Sequence, residues 1–455
     1  LRKDNNPHIY TVHVKRFRPA HLLRYNTPDQ DVGIERLAGR RCEPSFFAEG
    51  DKRGHMLILK FNALQTIALA VVTYYLGTAI LRRVPILVRF CIPAPVVGGL
   101  LFAVLATLLR MNGIIGFEFD EALQRSLMIL FFTTIGMGAS ASLLKKGGGP
   151  LAVFFGLACA LAVLQNLLGI VVAKFMGVNP LYGILSGGVS LMGGLGTSGA
   201  FGPEFEAWGV MGGKVSAIAC ATFGMVASNL MCGPFGETMI RKYHLKTPGH
   251  KAHEPKDPAK ILEESPEVTA ESFLRNLAFV LIAMACGIFL SEQLQKSGIT
   301  LPIYIGAMIV AVIIRNGLDL TVLKDKIEEK SIGLLSEISL ALYITMAING
   351  MKLWEIINLA LPLLIILVGQ IILMILFCWL GVFLIMGRDY EAVMLSVGMI
   401  GFGMGATPNA LINMSALSKK YGPARKAFLI VPLVGAFLID FVNALIITTM
   451  SAWVR

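Results

Sequence analysis

Two stretches of this chain are composed for holding ions rather than for breaking bonds. One reads LSGGVSLMGGLGTSGAFGPEFE from Leu185, the other LSVGMIGFGMGATPNALINMSALSKKYG from Leu395. Glycine lets backbone N–H groups come close to a ligand, and a helix N-terminus adds about half a positive charge, so each stretch suits a carboxylate. Freed carbonyls, the hydroxyls of Ser190, Thr197, Ser198 and Thr407 and the amides of Asn409 and Asn413 are hard oxygen ligands of the kind Na+ takes. The candidate substrate-binding residues are therefore Ser190, Gly193, Gly194, Gly196, Thr197, Ser198, Gly403, Gly405, Thr407, Asn409 and Asn413. The competing reading is small residues packing helices. Asp440, in LVGAFLIDFVNALIITT, is an ionisable group deep in an apolar run, where charge is costly and marks function by default. With Asn443 one turn on, Asn229 at the equivalent place in the other half, and Thr407, it makes a candidate Na+ site; a hydrogen-bonded bridge between helices is the alternative role for Asp440.

The elements that hold these residues must be membrane helices. Of 455 residues 55% are apolar and 15% charged, with mean hydropathy +0.69, and a spanning helix needs about 20 mostly apolar residues. About ten such stretches are expected, near 61–81, 91–110, 126–143, 151–176, 214–240, 273–295, 301–315, 333–350, 357–386 and 425–451. Residues 180–205 and 390–416 are apolar but too rich in Gly, Pro, Asn, Ser and Thr for plain lipid-facing helices, and read as re-entrant. No room is left for a large soluble catalytic domain.

Several chemistries are excluded. Seven cysteines form no C-x-x-C pair, and all seven histidines lie outside the apolar stretches, which argues against zinc, haem and histidine relays. GLGTSG at Gly194 matches a dinucleotide fingerprint in letters, but no strand precedes it; WGVMGGKVS lacks the phosphate-loop spacing. H-E-x-x-H and G-x-S-x-G are absent, as is any basic and aromatic nucleic-acid module. A channel is disfavoured because opposed Gly-rich tips suit occlusion better than a continuous pore.

Residues 1–55 carry 11 Lys and Arg against 7 Asp and Glu and lack the apolar core of a secretory signal. They read as a non-native or disordered basic leader ahead of Met56. With the start of the first span outside, 21 basic residues from Met56 onward face the cytoplasm against 8 on the other side, so both native termini are expected on the periplasmic face. The expected organisation is a first repeat over 56–240, a cytoplasmic linker over 241–272 and a second repeat over 273–455. The repeat rests on residues 176–200 aligning with 386–410 at an offset of 210, with eight identities in 25, Gly193/Gly403 and Thr197/Thr407 among them. Five spans per half turn the second half upside down, the plan of secondary transporters.

CIPAPVVGGLL at Cys91, GGLGT at Gly193, CATFGMV at Cys220, GMKLWE at Gly350, GFGMGATPNALINM at Gly401 and VPLVGAFLIDFVNALII at Val431 together resemble the bacterial sodium/glutamate symporter family, over nearly all of Met56 to Arg455. The resemblance implies an all-α polytopic fold of two inverted five-helix repeats, each with a re-entrant hairpin. It also implies a homodimer in the bacterial inner membrane, Na+-coupled uptake of L-glutamate by an elevator-type movement, and no cofactor beyond Na+ as coupling ion. A Na+/H+ or other ion antiporter, or a symporter for a related dicarboxylate, stays open.

Overall fold

The computed structural model describes residues 48–50, 57–90, 92–248, 268–296, 302–321, 327–355 and 359–455. Most of the 1–55 leader and the middle of the 241–272 linker lie outside the described residues. The chain is an all-α polytopic membrane protein apart, among the described residues, from one small sheet. Among the described residues, seven helices are long and apolar enough to cross a membrane, and one bent pair would make an eighth.

In chain order the helices are α1 (Ala63–Arg83), α2 (Pro85–Arg89), α3 (Ala94–Met111), α4 (Ala122–Gly138), α5 (Ala141–Phe175), α6 (Leu181–Met192), α7 (Gly194–Ala207) and α8 (Gly213–Lys242). They continue as α9 (Ala270–Lys296), α10 (Ile303–Asp319), α11 (Glu329–Asn349), α12 (Ala360–Phe383), α13 (Tyr390–Gly403), α14 (Thr407–Tyr421), α15 (Arg425–Ala436) and α16 (Ile439–Val454). Local signals set their ends. Asn62 caps α1 by accepting from the Gln65 amide at 2.9 Å while the Gln65 side chain accepts from the Asn62 amide at 3.0 Å, and Asp389 caps α13 by accepting from Ala392 N at 2.8 Å. A glycine at φ +60, Gly148, breaks α5 just before Pro150. α4 and α10, at 17 residues each, are shorter than a typical span.

The sheet is absent from the sequence expectation. β1 (Ala48–Gly50) pairs antiparallel with β2 (Leu57–Phe61), which pairs parallel with β3 (Ile115–Phe119), Phe61 opposite Phe119. Phe61, Phe102, Phe117 and Phe119 cluster about it, with Phe102 and Phe117 ring centres 5.4 Å apart. This mixed ribbon sits just ahead of α1 and joins it to the segment between α3 and α4.

The helices pack in two groups. α1, α3, α4, α9, α10 and α11 lie against one another, and α5 to α8 lie with α12 to α16. Close backbone approach holds the first group: a Cβ on Gly98 of α3 would lie 1.8 Å from Thr73 O of α1, and one on Gly287 of α9 would lie 2.2 Å from Ala307 Cα of α10. In lipid no hydrophobic force drives helices together, so such small-residue contacts and interhelical hydrogen bonds must. The second group holds the two Gly-rich segments.

Candidate functional site

Each Gly-rich segment is a helix, a break and a second helix. In the first, α6 ends in wide π-type turns around a non-helical Gly187, and the chain turns at Gly193–Gly194 into α7. Gly194 has φ +62, a conformation L side chains rarely adopt. In the second, α13 ends at Gly403 and α14 begins at Thr407. The arms of the second fold back on each other so tightly that a Cβ on Gly401 would lie 2.3 Å from Ala410 Cα. The two breaks meet: a Cβ on Gly194 would lie 2.8 Å from the carbonyl oxygen of Gly405.

That meeting point borders a cavity of about 800 Å³ between the two helix groups. Gly193, Gly194, Gly196, Thr197, Gly405, Thr407, Asn409 and Asp440 all line it. The N-terminal turns of α7 and α14 thus open on one space. The first N–H groups of a helix have no partner within it and carry its positive end, so two converging N-termini make an anion-binding surface. Asn409 adds a buried Nδ2 with no hydrogen-bond partner, a donor left for a ligand. Asp440, from the α16 side, adds a carboxylate to the same lining.

Other predicted residues lie behind the cavity. The Ser190 hydroxyl donates to Ala217 O at 2.9 Å and also reaches Leu185 O, five residues back in the wide turns, while Ser198 Oγ lies 3.4 Å from Ser190 Oγ. Gly403 O accepts from Gln165 Nε2 at 2.8 Å, and Gln370 Nε2 donates to Gln165 O at 2.7 Å, so the two glutamines cross-tie α5, α12 and the tip of the second segment. Gly188 is held on both sides, its N–H donating to Asn166 Oδ1 and its carbonyl accepting from Asn443 Nδ2, each at 2.8 Å. Asn229 accepts from Asn413 Nδ2 at 2.6 Å and donates to Phe90 O at 2.8 Å. The expected Na+ residues are therefore spread out: Asp440 and Thr407 at the cavity, Asn443 on Gly188, and Asn229 in a network with Asn413.

Residues not foreseen complete the surroundings. The Tyr343 hydroxyl of α11 donates to Gly196 O, joining the first helix group to the tip of α7. Lys214, buried at the start of α8, reaches Glu121 at 3.4 Å. Nothing in a lone tyrosine within an apolar span distinguishes it from core.

Residues 59–423 match the family model described as Sodium/glutamate symporter. The chain belongs to the sodium/glutamate symporter family. Among its relatives, the sodium/glutamate symporter of Haemophilus influenzae is 36% identical over 400 residues, covering 87% of this chain and 98% of that protein. The sodium/glutamate symporter of Escherichia coli is 37% identical over 393 residues, covering 85% and 96%. The family match over 59–423 takes in both Gly-rich segments and stops short of Asp440. A solved sodium proton antiporter from Methanocaldococcus jannaschii covers 86% of this chain and 98% of its own at 15% identity, with a TM-score of 0.40, a level that carries no argument. Membership in a symporter family makes this chain a transporter and not an enzyme.

Proposed function

We propose that this protein takes up L-glutamate with Na+ across the bacterial inner membrane by an elevator-type alternating-access movement. The observation that carries the reading is the convergence of the α7 and α14 N-termini on one cavity that also contains Asp440. Backbone N–H groups at the two tips, with Asn409, receive the substrate carboxylates; Asp440, Thr407 and neighbouring carbonyls hold Na+, with Asn443 and Asn229 fixing the helices behind them. The names of the relatives support glutamate and Na+ as the cargo pair.

The division into two helix groups supports the elevator reading, the group with both Gly-rich segments moving against α1, α3, α4, α9, α10 and α11. Ten spans in two inverted halves are supported by the helices found at all ten expected positions and by Gly77 and Gly287, 210 residues apart, at close helix contacts of α1 with α3 and α9 with α10. With both native termini periplasmic, the cavity wall made by α10 and α11 lies toward the cytoplasm, so the conformation is inward-facing. A homodimer follows from the family resemblance.

Glutamate carries one net negative charge, so two Na+ per substrate would move one positive charge inward, worth about 2.3 kcal/mol per 100 mV. Radiolabelled L-glutamate uptake into proteoliposomes, with and without an inward Na+ gradient, tests the reading; L-aspartate and other dicarboxylates as competitors define the substrate. Substrate-dependent Na+ entry separates symport from antiport. Asp440→Asn is expected to raise the Na+ concentration for half-maximal uptake, and unchanged Na+ dependence removes Asp440 from the ion site.

A further inference from the structure

One wall of the cavity carries a group that the proposed binding site does not use. Arg315, near the end of α10, is the one cation among the described residues that line the cavity, against the carboxylates Glu329, Glu337 and Asp440. Its side chain is only 8% exposed. Nε lies 3.4 Å from Asp319 Oδ1 and Nη2 lies 3.7 Å from Glu329 Oε1, both longer than the 2.7–2.9 Å typical of charge-assisted hydrogen bonds. Nε and Nη1 are buried with no hydrogen-bond partner. Asp319 itself also accepts from the Ser140 hydroxyl. A guanidinium presents five donors in a fork shaped for a carboxylate, and leaving buried donors unfilled is costly. Glu329, by contrast, has a side chain 72% exposed, so it can give up the pair to water at little cost.

We propose that Arg315 is a docking station for a substrate carboxylate at the mouth of the cavity, with Glu329 the occupant it exchanges. A carboxylate leaving the hairpin tips meets Arg315 before it reaches the aqueous face. This rests on the transport reading, which makes the cargo an anion. It adds a specificity element on the side of the cavity opposite the tips: an anion passes a cation, while a neutral analogue leaves Arg315 on Glu329.

The test is exchange of radiolabelled L-glutamate at fixed Na+ in right-side-out and inside-out membrane vesicles, read as the ratio of cytoplasmic-face to periplasmic-face half-saturation constants. Arg315→Gln is expected to raise that ratio about tenfold, the size of one lost charge-assisted hydrogen bond. Glu329→Gln, which leaves Asp319 as the guanidinium's remaining ion-pair partner, is expected to lower it, and Arg315→Lys is expected to fall between wild type and Arg315→Gln. A ratio unchanged in Arg315→Gln, or an equal loss at both faces, overturns the proposal and leaves Arg315 a helix tie. If Arg315→Gln does not fold, the exposed position 329 decides alone: a ratio that does not fall in Glu329→Gln overturns the docking role. Wild-type vesicles without Na+-driven glutamate uptake would instead refute the transport reading itself.

Discussion

Gly194→Ala is the sharpest probe of the meeting between the two tips. A Cβ at φ +62 costs about 1–2 kcal/mol in the left-handed region. It would also lie 2.8 Å from the carbonyl oxygen of Gly405, a backbone atom that cannot rotate away, and overpacking of this kind costs about 1–3 kcal/mol. The sum is roughly 2–5 kcal/mol, and even its lower end is about thirtyfold in an equilibrium constant. The tip is where the chain can yield, so the cost should fall on the bound state. Na+-dependent glutamate binding to the purified protein, by calorimetry, is expected to weaken at least thirtyfold on this scale. Gly156→Ala is the control, since no atom lies within 4 Å of a Cβ there; its affinity should match wild type. Wild-type affinity in Gly194→Ala would mean that the two segments do not meet in the binding-competent protein, and the shared site would be wrong.

Asn443→Ala removes one of two donors on Gly188 O, which keeps the Gly193 N–H at 3.0 Å; one net hydrogen bond is worth about 0.5–1.5 kcal/mol, so the Tm should fall, and an unchanged Tm would mean the contact contributes nothing. Tyr343→Phe removes the bond to Gly196 O between the two helix groups, worth about 1 kcal/mol; labelling of Ile412→Cys, at the cavity, from the cytoplasmic face should slow about fivefold as the population shifts, and an equal rate counts against the tie. Outside the spans, hydrogen bonds from Ser272 and Ser331, each 2.6 Å, hold the Glu328 carboxyl below its ordinary range. A depressed carboxylate stabilises fully above its unfolded value and loses that contribution as pH falls through the folded one. Hydrogen-exchange protection at the start of α9 should therefore fall below about pH 4, and pH-independent protection would refute the link.

The long helices were legible because a spanning segment announces itself by length and apolarity alone. The Gly-rich breaks were legible for the opposite reason, their composition being unfit for a lipid-facing helix. Leu57–Phe61 was not: four apolar residues around Lys60, leading straight into a helix, are too short a run to separate strand from helix. The expected span stops at 315, but α10 runs on to Asp319, and Ser140 and Asp319 give the Arg315 guanidinium a buried setting. Ser190 has the right chemistry for a ligand, yet its hydroxyl is taken by the carbonyls of Leu185 and Ala217. Residue type gives the donor; only the fold decides what it donates to.

Gln165 reaches the tip of the second segment at Gly403, and Asn443 reaches the first segment at Gly188. Each segment is thus pinned by a side chain from the opposite end of the chain. During synthesis the early hairpin has its Asn166 tie at once, but gains the Asn443 tie only when the last helix is made. A partly made chain in the bilayer therefore lacks the finished pocket, whose wall includes Gly435 and Asp440.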